Sequence, residues 1–243
     1  MLATVFVKTM QVFPRYMSDV FELAGRVCRT FSAGEGGPVI FVDLMPGGEE
    51  FSEIERLLAD DEECFTVFGF ECTEWNSDFS PWEFDGGTGQ VFGSGGKDTL
   101  AWLREHAVPY VREEFPSCSE LAIAGYSLAG LFALWSLYES DLFRGAACCS
   151  GSLWFGGWDR YADTHKVPEN GVVYLSLGGK EPGSGNLLTA SIGTQYQKQK
   201  KRLEKDSNLR AFTMFMNSGG HFSDPAGRLA KGIKWLAEEL SVY

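Results

Sequence analysis

The chain has 243 residues, of which 44% are hydrophobic and 22% charged, and these values are typical of a globular protein with a well-buried core. Lys and Arg total 21 against 33 for Asp and Glu, so the net charge of −12 disfavours nucleic acid, anionic membranes and highly anionic substrates. No run of ~18 apolar residues predicts a membrane span. The first ten residues lack the basic-then-apolar layout of a secretory signal. We therefore expect a cytoplasmic protein.

Six cysteines could indicate a disulfide framework, but their pattern favours reduced thiols. Cys148 and Cys149 are adjacent within an apolar run, and no C-x-x-C pair occurs. A chain of this length does not need disulfides to fold, and reduced thiols are usual without a secretory signal. We expect neither a zinc site nor a redox centre.

Short apolar runs alternate with longer amphipathic segments along the chain. Several runs are apolar throughout, which is typical of strands covered by helices on both faces, and the alternation after Val39 predicts a largely parallel sheet. We expect a single α/β domain over residues 1–243, although length alone also permits two small domains. The predicted strands are 4–8, 26–31, 39–44, 65–71, 120–124, 145–149, 172–177 and 210–216. The predicted helices are 51–58, 97–115 (interrupted by Pro109), 127–140, 189–205 and 224–240.

One long segment, residues 73–96, has no clear periodicity. It is rich in glycine and carries three aromatic side chains, Trp75, Phe79 and Trp82. Loops of this length in compact domains are functional or disordered, and the aromatic residues argue against disorder.

Residues 121–135 have the pattern of an apolar strand, a sharp turn and an apolar helix, with Ser127 at the turn. The nucleophile elbow of α/β-hydrolases has this layout, and it requires small residues two positions before and after the serine. Gly125 and Ala129 occupy those positions. The turn directs the Leu128 N–H to the reaction site, at a helix N-terminus. We expect Ser127 to be a nucleophile; a serine that caps a buried helix is the alternative.

Three histidines are candidates for the general base. His106 falls inside a predicted helix and His165 in a polar loop. His221 lies on a glycine-rich loop between the last predicted strand and the last helix, where this fold delivers its base. We expect His221 to accept the proton of Ser127.

The acid is expected on the loop after strand 172–177, because the chain order is nucleophile, acid, base. Glu181 is the candidate there, and it would orient the imidazole and stabilise its charged form. A glutamate beside Lys180 is also what a solvated loop contains. The alternative acids are Asp159, Asp163 and Asp224.

A second oxyanion donor is expected from the loop after strand 39–44, as the N–H of Leu44 or of Met45. Trp75, Trp82 and Trp154 are expected to line the acyl or alcohol pocket, with core packing as an equal alternative.

Four segments resemble the putative-esterase family of α/β-hydrolases, whose members include siderophore esterases, S-formylglutathione hydrolases, feruloyl and acetyl-xylan esterases and mycolyltransferases. The elbow at 125–134, the segment 150–154, the loop 78–82 and the histidine loop 220–222 look like those of the family, in the same order. The siderophore-esterase branch looks nearest. Ala129 replaces the usual second glycine, and Ser77 stands where many members carry a larger polar or basic residue.

The residues and the resemblance together imply a serine esterase that acts on a small-molecule ester through an acyl-enzyme, with no cofactor and no metal. Acyl transfer to an alcohol by the same Ser127 and His221 is one alternative. A non-catalytic ligand-binding protein with a hydrolase fold is the other.

Overall fold

Ten strands are described, and eight of them form one sheet through the middle of the protein. The computed structural model describes residues 16–87, 89–183 and 190–241. The strands are β1 Tyr16–Leu23, β2 Arg26–Ala33, β3 Gly37–Leu44, β4 Phe65–Glu71, β5 Phe84–Asp85, β6 Val91–Phe92, β7 Cys118–Tyr126, β8 Gly145–Cys149, β9 Gly171–Gly178 and β10 Leu209–Asn217.

The large sheet has the order β1-β2-β4-β3-β7-β8-β9-β10, and β5 pairs with β6 in a separate hairpin. β1 pairs antiparallel with β2, and β2 with β4. All other neighbours in the large sheet are parallel. The prediction of a largely parallel sheet is confirmed.

Helices connect the parallel strands. They are α1 Glu49–Leu58, α2 Trp75–Asp78, α3 Gly96–Trp102, α4 Val108–Glu114, α5 Leu128–Glu139, α6 Trp158–Ala162, α7 Ile192–Leu203 and α8 Pro225–Ser241, with a 3-10 turn at Glu181–Gly183. In the described part of the chain, no helix is both long and apolar enough to cross a bilayer.

Each strand predicted from residue 26 onward is present, with boundaries that differ by at most a few residues. The predicted strand at 4–8 lies outside the described residues. β1 was not predicted because it is an edge strand that buries only part of its surface: Val20 is 62% exposed, whereas Phe21 packs on the core. The hairpin β5–β6 and the short helices α2 and α6 were also not predicted, because elements of two to five residues carry no usable periodicity.

The predicted interruption of the third helix has a defined geometry. A π-helical turn, Leu103–Ala107, separates α3 from α4 and ends two residues before Pro109. Proline has no N–H to donate to the carbonyl four residues earlier, and its ring crowds that carbonyl, so the helix widens over the preceding turn.

Two apolar layers cover the two faces of the sheet. α5 packs on one face, where Leu121 and Ile123 of β7 point, and α1 and α8 cover the other, where Ala122 and Ala124 point. Ten of the twelve residues of α5 are buried, as expected for a helix that is apolar on all sides. The rigid centre made by β7 and α5 carries the turn at Ser127.

Phe41 in β3 tests how much this core contributes to stability. Its side chain is fully buried, with ring centroids 5.1 Å from Phe68 and 5.8 Å from Phe143. We expect Phe41→Ala to lower the free energy of unfolding by ~3–5 kcal/mol, because it opens a cavity in a packed layer. Phe222→Ala is the matched control, since Phe222 is 89% exposed, and we expect a change within ~0.5 kcal/mol. Urea unfolding measures both; equal losses would contradict this description of the core.

Candidate active site

Ser127 lies at the sharp turn between β7 and α5. Its φ of 59° and ψ of −121° are unusual for a residue with a side chain. The turn closes because Gly125 has no Cβ: a Cβ there would lie 2.2 Å from the carbonyl oxygen of Ala129. The Ser127 N–H donates to the carbonyl of Cys149 at 3.0 Å. Sheet and helix thus hold the serine in a strained conformation with its hydroxyl projecting from the carboxyl end of the sheet.

The structure brings Ser127, His221 and Glu181 into one chain of hydrogen bonds. His221 Nε2 lies 3.0 Å from Ser127 Oγ, and His221 Nδ1 lies 2.9 Å from Glu181 Oε2. Because a carboxylate can only accept, the partners assign the proton to Nδ1 and leave Nε2 free to accept from the serine hydroxyl. His221 reaches this position from the loop between β10 and α8, and Glu181 from the 3-10 turn after β9.

Glu181 is buried, with 5% of its surface exposed, and the carboxyl oxygen that does not contact His221 accepts three hydrogen bonds. Glu181 Oε1 accepts from Ser150 Oγ at 2.8 Å, from the Gly178 N–H at 2.7 Å and from Arg228 Nη1 at 3.0 Å. Burial alone would raise the pKa of Glu181, but hydrogen bonds from His221, the Gly178 N–H and Ser150 outweigh it and lower that pKa. The carboxylate is therefore held in its charged form beside the imidazole.

Arg228 connects Glu181 to the loop that carries His221. Its side chain is 1% exposed, at the start of α8. Besides Glu181, Arg228 Nη1 donates to Tyr126 Oη at 3.0 Å, and Nη2 donates to the carbonyls of Ser218 at 3.0 Å and Gly220 at 2.8 Å. The Tyr126 hydroxyl in turn donates to the carbonyl of His221. One guanidinium thus fixes both Glu181 and the loop of His221.

The other acids and histidines considered from the sequence lie elsewhere. Asp159 pairs with Lys198 and Arg202, and Asp163 also pairs with Arg202. Asp224 Oδ1 accepts a hydrogen bond from the Gly227 N–H in the first turn of α8. Of the two other histidines, His106 lies near the Trp102 ring in the π-helical turn, and His165 stacks on Tyr161.

The two backbone positions proposed for the second oxyanion donor differ in their surroundings. Leu44 is still paired in the sheet, opposite Glu71, and its carbonyl accepts from the Cys72 N–H at 3.0 Å. Met45 is the first residue past β3 and lines the cavity beside Ser127. No hydrogen bond from the Met45 or Leu128 N–H is found within the described residues. Of the two residues, Met45 is therefore the one that lies beyond the sheet and beside the cavity.

A cavity of about 270 Å³ opens over Ser127 and His221. Of the three tryptophans considered for the pocket, Trp75, from α2, lines this cavity, and Trp82 and Trp154 do not. Trp82 Nε1 donates to the Gly156 carbonyl at 2.7 Å, and Trp154 packs on Phe92. These two tryptophans hold the segment before α3 against the segment after β8. The residues that line the cavity are Asp43, Met45, Glu50, Trp75, Tyr126, Ser127, His221, Phe222 and Pro225.

Two parts of this site were not predicted from the sequence, Arg228 and the carboxyl groups of Asp43 and Glu50. Arg228 leaves a signal, because a cation in the first turn of a helix opposes the helix dipole unless an anion lies nearby. Asp43 leaves one too, as the only carboxylate in an otherwise apolar strand. Across residues 16–87, 89–183 and 190–241, no cluster of His, Cys, Asp or Glu is arranged to hold a metal ion.

The lowered pKa of Glu181 predicts how stability depends on pH. A carboxyl whose folded-state pKa lies below its ordinary value of 4.5 stabilises the fold above that value, and this contribution is lost as the pH falls through the folded-state pKa. We expect the difference in unfolding free energy between wild type and Glu181→Gln to narrow from neutral pH to about pH 3. Glu113→Gln, an exposed carboxylate-to-amide change, controls for the loss of one charge. A difference that stays constant or widens would contradict the charged state assigned to Glu181.

Solved structures of known proteins share this fold. The siderophore hydrolase EstB from Aspergillus nidulans is 18% identical, with 99% of both chains covered and a TM-score of 0.73. An IroE-like serine hydrolase from Shewanella oneidensis is 17% identical over 92% of this chain and 80% of its own, also with a TM-score of 0.73. The enterobactin hydrolase IroE in complex with DFP is 16% identical over 93% of this chain and 94% of its own, with a TM-score of 0.56. These likenesses confirm the α/β-hydrolase fold.

No curated protein matches the chain in sequence. A model of the family described as "Putative esterase" matches residues 38–223. This match spans most of the sheet, the elbow at Ser127, the turn of Glu181 and the loop of His221. The chain therefore belongs to the putative esterase family.

Proposed function

We propose that the protein hydrolyses a carboxylic ester through an acyl-enzyme formed on Ser127. The observation that carries this proposal is the unbroken chain of hydrogen bonds from Ser127 through His221 to Glu181, at an elbow that opens into a cavity. A serine hydroxyl is a weak nucleophile until a neighbouring base accepts its proton, and the 3.0 Å contact to Nε2 supplies that base.

In the first half of the reaction, Ser127 Oγ attacks the ester carbonyl while His221 Nε2 takes the hydroxyl proton. Negative charge develops on the carbonyl oxygen, and the N–H groups of Leu128 and Met45 stabilise it. The charged imidazole is favoured by Glu181, which accepts from Nδ1. Collapse of the tetrahedral intermediate breaks the ester C–O bond, and the leaving alcohol takes the proton from Nε2.

In the second half, water replaces the alcohol. His221 accepts a proton from water as the water oxygen attacks the acyl carbon, and then returns that proton to Ser127 Oγ as the acid product leaves. The strained backbone of Ser127 keeps the hydroxyl in one position through both halves, so that little is lost in orienting it.

For the substrate, we propose a siderophore-type or comparable small-molecule ester. Two of the proteins that share this fold are named as a siderophore hydrolase and as an enterobactin hydrolase. The cavity fits an acyl or alcohol group of modest size, since it encloses about 270 Å³ and combines the apolar side chains of Met45, Trp75 and Phe222 with a few polar groups.

Covalent labelling tests the nucleophile. A fluorophosphonate should add one label per chain at Ser127, because its phosphorus takes the place of the attacked carbonyl. Ser127→Ala should remove the label. Ser136→Ala is the matched control, since Ser136 is a buried serine in α5 that lies away from His221, and labelling should persist in it. Intact-mass and peptide mass spectrometry measure the result.

A label on another serine, or no label on a folded wild-type protein, would contradict the assignment of Ser127. The same preparation is also assayed with an activated aryl ester. The rate of ester turnover should fall in proportion to the fraction of Ser127 that is labelled. Ester turnover that survives complete labelling would place the reaction elsewhere.

A further inference from the structure

Two carboxyl side chains lie in the wall of the cavity that contains Ser127. Asp43 is the penultimate residue of β3, and Glu50 is the second residue of α1. Both line the cavity together with Ser127, His221 and Trp75. Neither is used by the mechanism above, so their presence there requires a separate explanation.

Asp43 has an unusual environment for a charged residue. Only 2% of its surface is exposed, and within the described residues neither carboxyl oxygen has a hydrogen-bond partner. No ion pair to Asp43 or to the half-buried Glu50 is found among those residues. Burying a carboxyl group without partners is costly, so such groups are rare in native proteins outside functional sites.

The electrostatics of the pair point in the same direction. Burial is the main cause that raises the pKa of Asp43 well above its ordinary value, and the neighbouring charge of Glu50 raises it further. Burial also raises the pKa of Glu50. A positive charge close to either group would favour its ionised form and oppose these shifts.

Glu181 shows what a satisfied carboxylate looks like in the same protein. It is also buried, yet it receives hydrogen bonds from His221, Ser150 and Arg228. Within the described residues, a cation contacts the carboxylate of Glu181 and none contacts that of Asp43. No contact in the described part of the chain therefore explains the burial of Asp43, which lies in the wall of the cavity that contains Ser127.

We propose that Asp43 and Glu50 form a subsite for a primary ammonium group on the ester substrate. This proposal rests on the proposed esterase function and specifies its substrate class. An ammonium group has three donors, so it can bind oxygens of both carboxyl groups at once. Trp75 adds an aromatic ring, which attracts cations over its face. The net charge of −12 also favours the approach of a cationic substrate.

The kinetic test compares aryl esters that differ only in the last group of the acyl chain, which is an ammonium, a methyl or a hydroxyl group. The value of kcat/KM is measured for all three esters at each of several chain lengths. At the best length, kcat/KM for the ammonium ester should exceed that of the methyl ester by at least about tenfold, as expected for charge-assisted hydrogen bonds. Asp43→Asn and Glu50→Gln should each reduce that preference.

Glu49→Gln is the matched control, because Glu49 is an exposed neighbour of Glu50 that does not line the cavity. It removes the same charge and should keep the wild-type preference. Asp43→Asn should not lower the free energy of unfolding, whereas a purely structural role for Asp43 predicts a loss. If the wild type and the three variants show the same preference for the ammonium ester over the methyl ester, the proposed ammonium subsite is wrong. It is also wrong if the wild type prefers the hydroxyl ester, a result that would indicate that Asp43 is a neutral hydrogen-bond donor.

A binding measurement separates failure of this proposal from failure of the esterase function. Calorimetric titration with an alkylammonium chloride and with the alcohol of equal length needs no turnover. The wild type should bind the ammonium compound more tightly, and Asp43→Asn should lose the difference. If the wild type binds the alkylammonium ion but hydrolyses no ester, the subsite is supported and the esterase function is contradicted. If it hydrolyses the methyl ester but does not prefer the alkylammonium ion, the esterase function is supported and the subsite is contradicted.

Discussion

The buried contact between Arg228 and Glu181 is the interaction on which the geometry of the site depends. Both side chains are almost fully buried, and their 3.0 Å contact joins α8 to the turn after β9. Removing one partner of such a pair leaves an uncompensated charge, which is far more costly than the pair itself. The second Arg228 nitrogen binds the carbonyls of Ser218 and Gly220, so the same residue sets the path of the loop that carries His221.

The contacts of Arg228 therefore place a positive charge beside Glu181 and also set the position of the loop that carries His221. The sheet and α5 fix Ser127 through close approach of the backbone at Gly125, whereas Glu181 lies on a single 3-10 turn and His221 on a loop. A buried guanidinium with several donors in a fixed plane is suited to holding such loops, since each hydrogen bond defines a direction. In the described part of the chain the carboxyl group of Asp43 has no such partner, and this contrast is the basis for the proposal that it binds substrate.

Much of this arrangement could be predicted from the sequence, because it depends on local patterns. The apolar strand, the small residues around Ser127 and the apolar helix after it predict the elbow, and the glycine-rich loop predicts the place of His221. Glu181 could be proposed only from chain order, since its burial comes from Arg228, which is 47 residues away. The positions of Trp82 and Trp154 depend on packing between distant segments, and no periodicity in the sequence encodes it. The unpaired state of Asp43 is visible only once its neighbours in space are known.

A double-mutant cycle between Arg228 and Glu181 tests most directly whether one buried network places the acid and the base. The turnover number on an activated aryl ester is measured for Arg228→Met, Glu181→Gln and the double variant, with folding of each verified by circular dichroism. Each single change should lower kcat by at least about tenfold, and the double change should lower it no further than the worse single one, because both disrupt the same unit. A folded Arg228→Met protein with wild-type turnover, or losses that multiply in the double variant, would contradict the account.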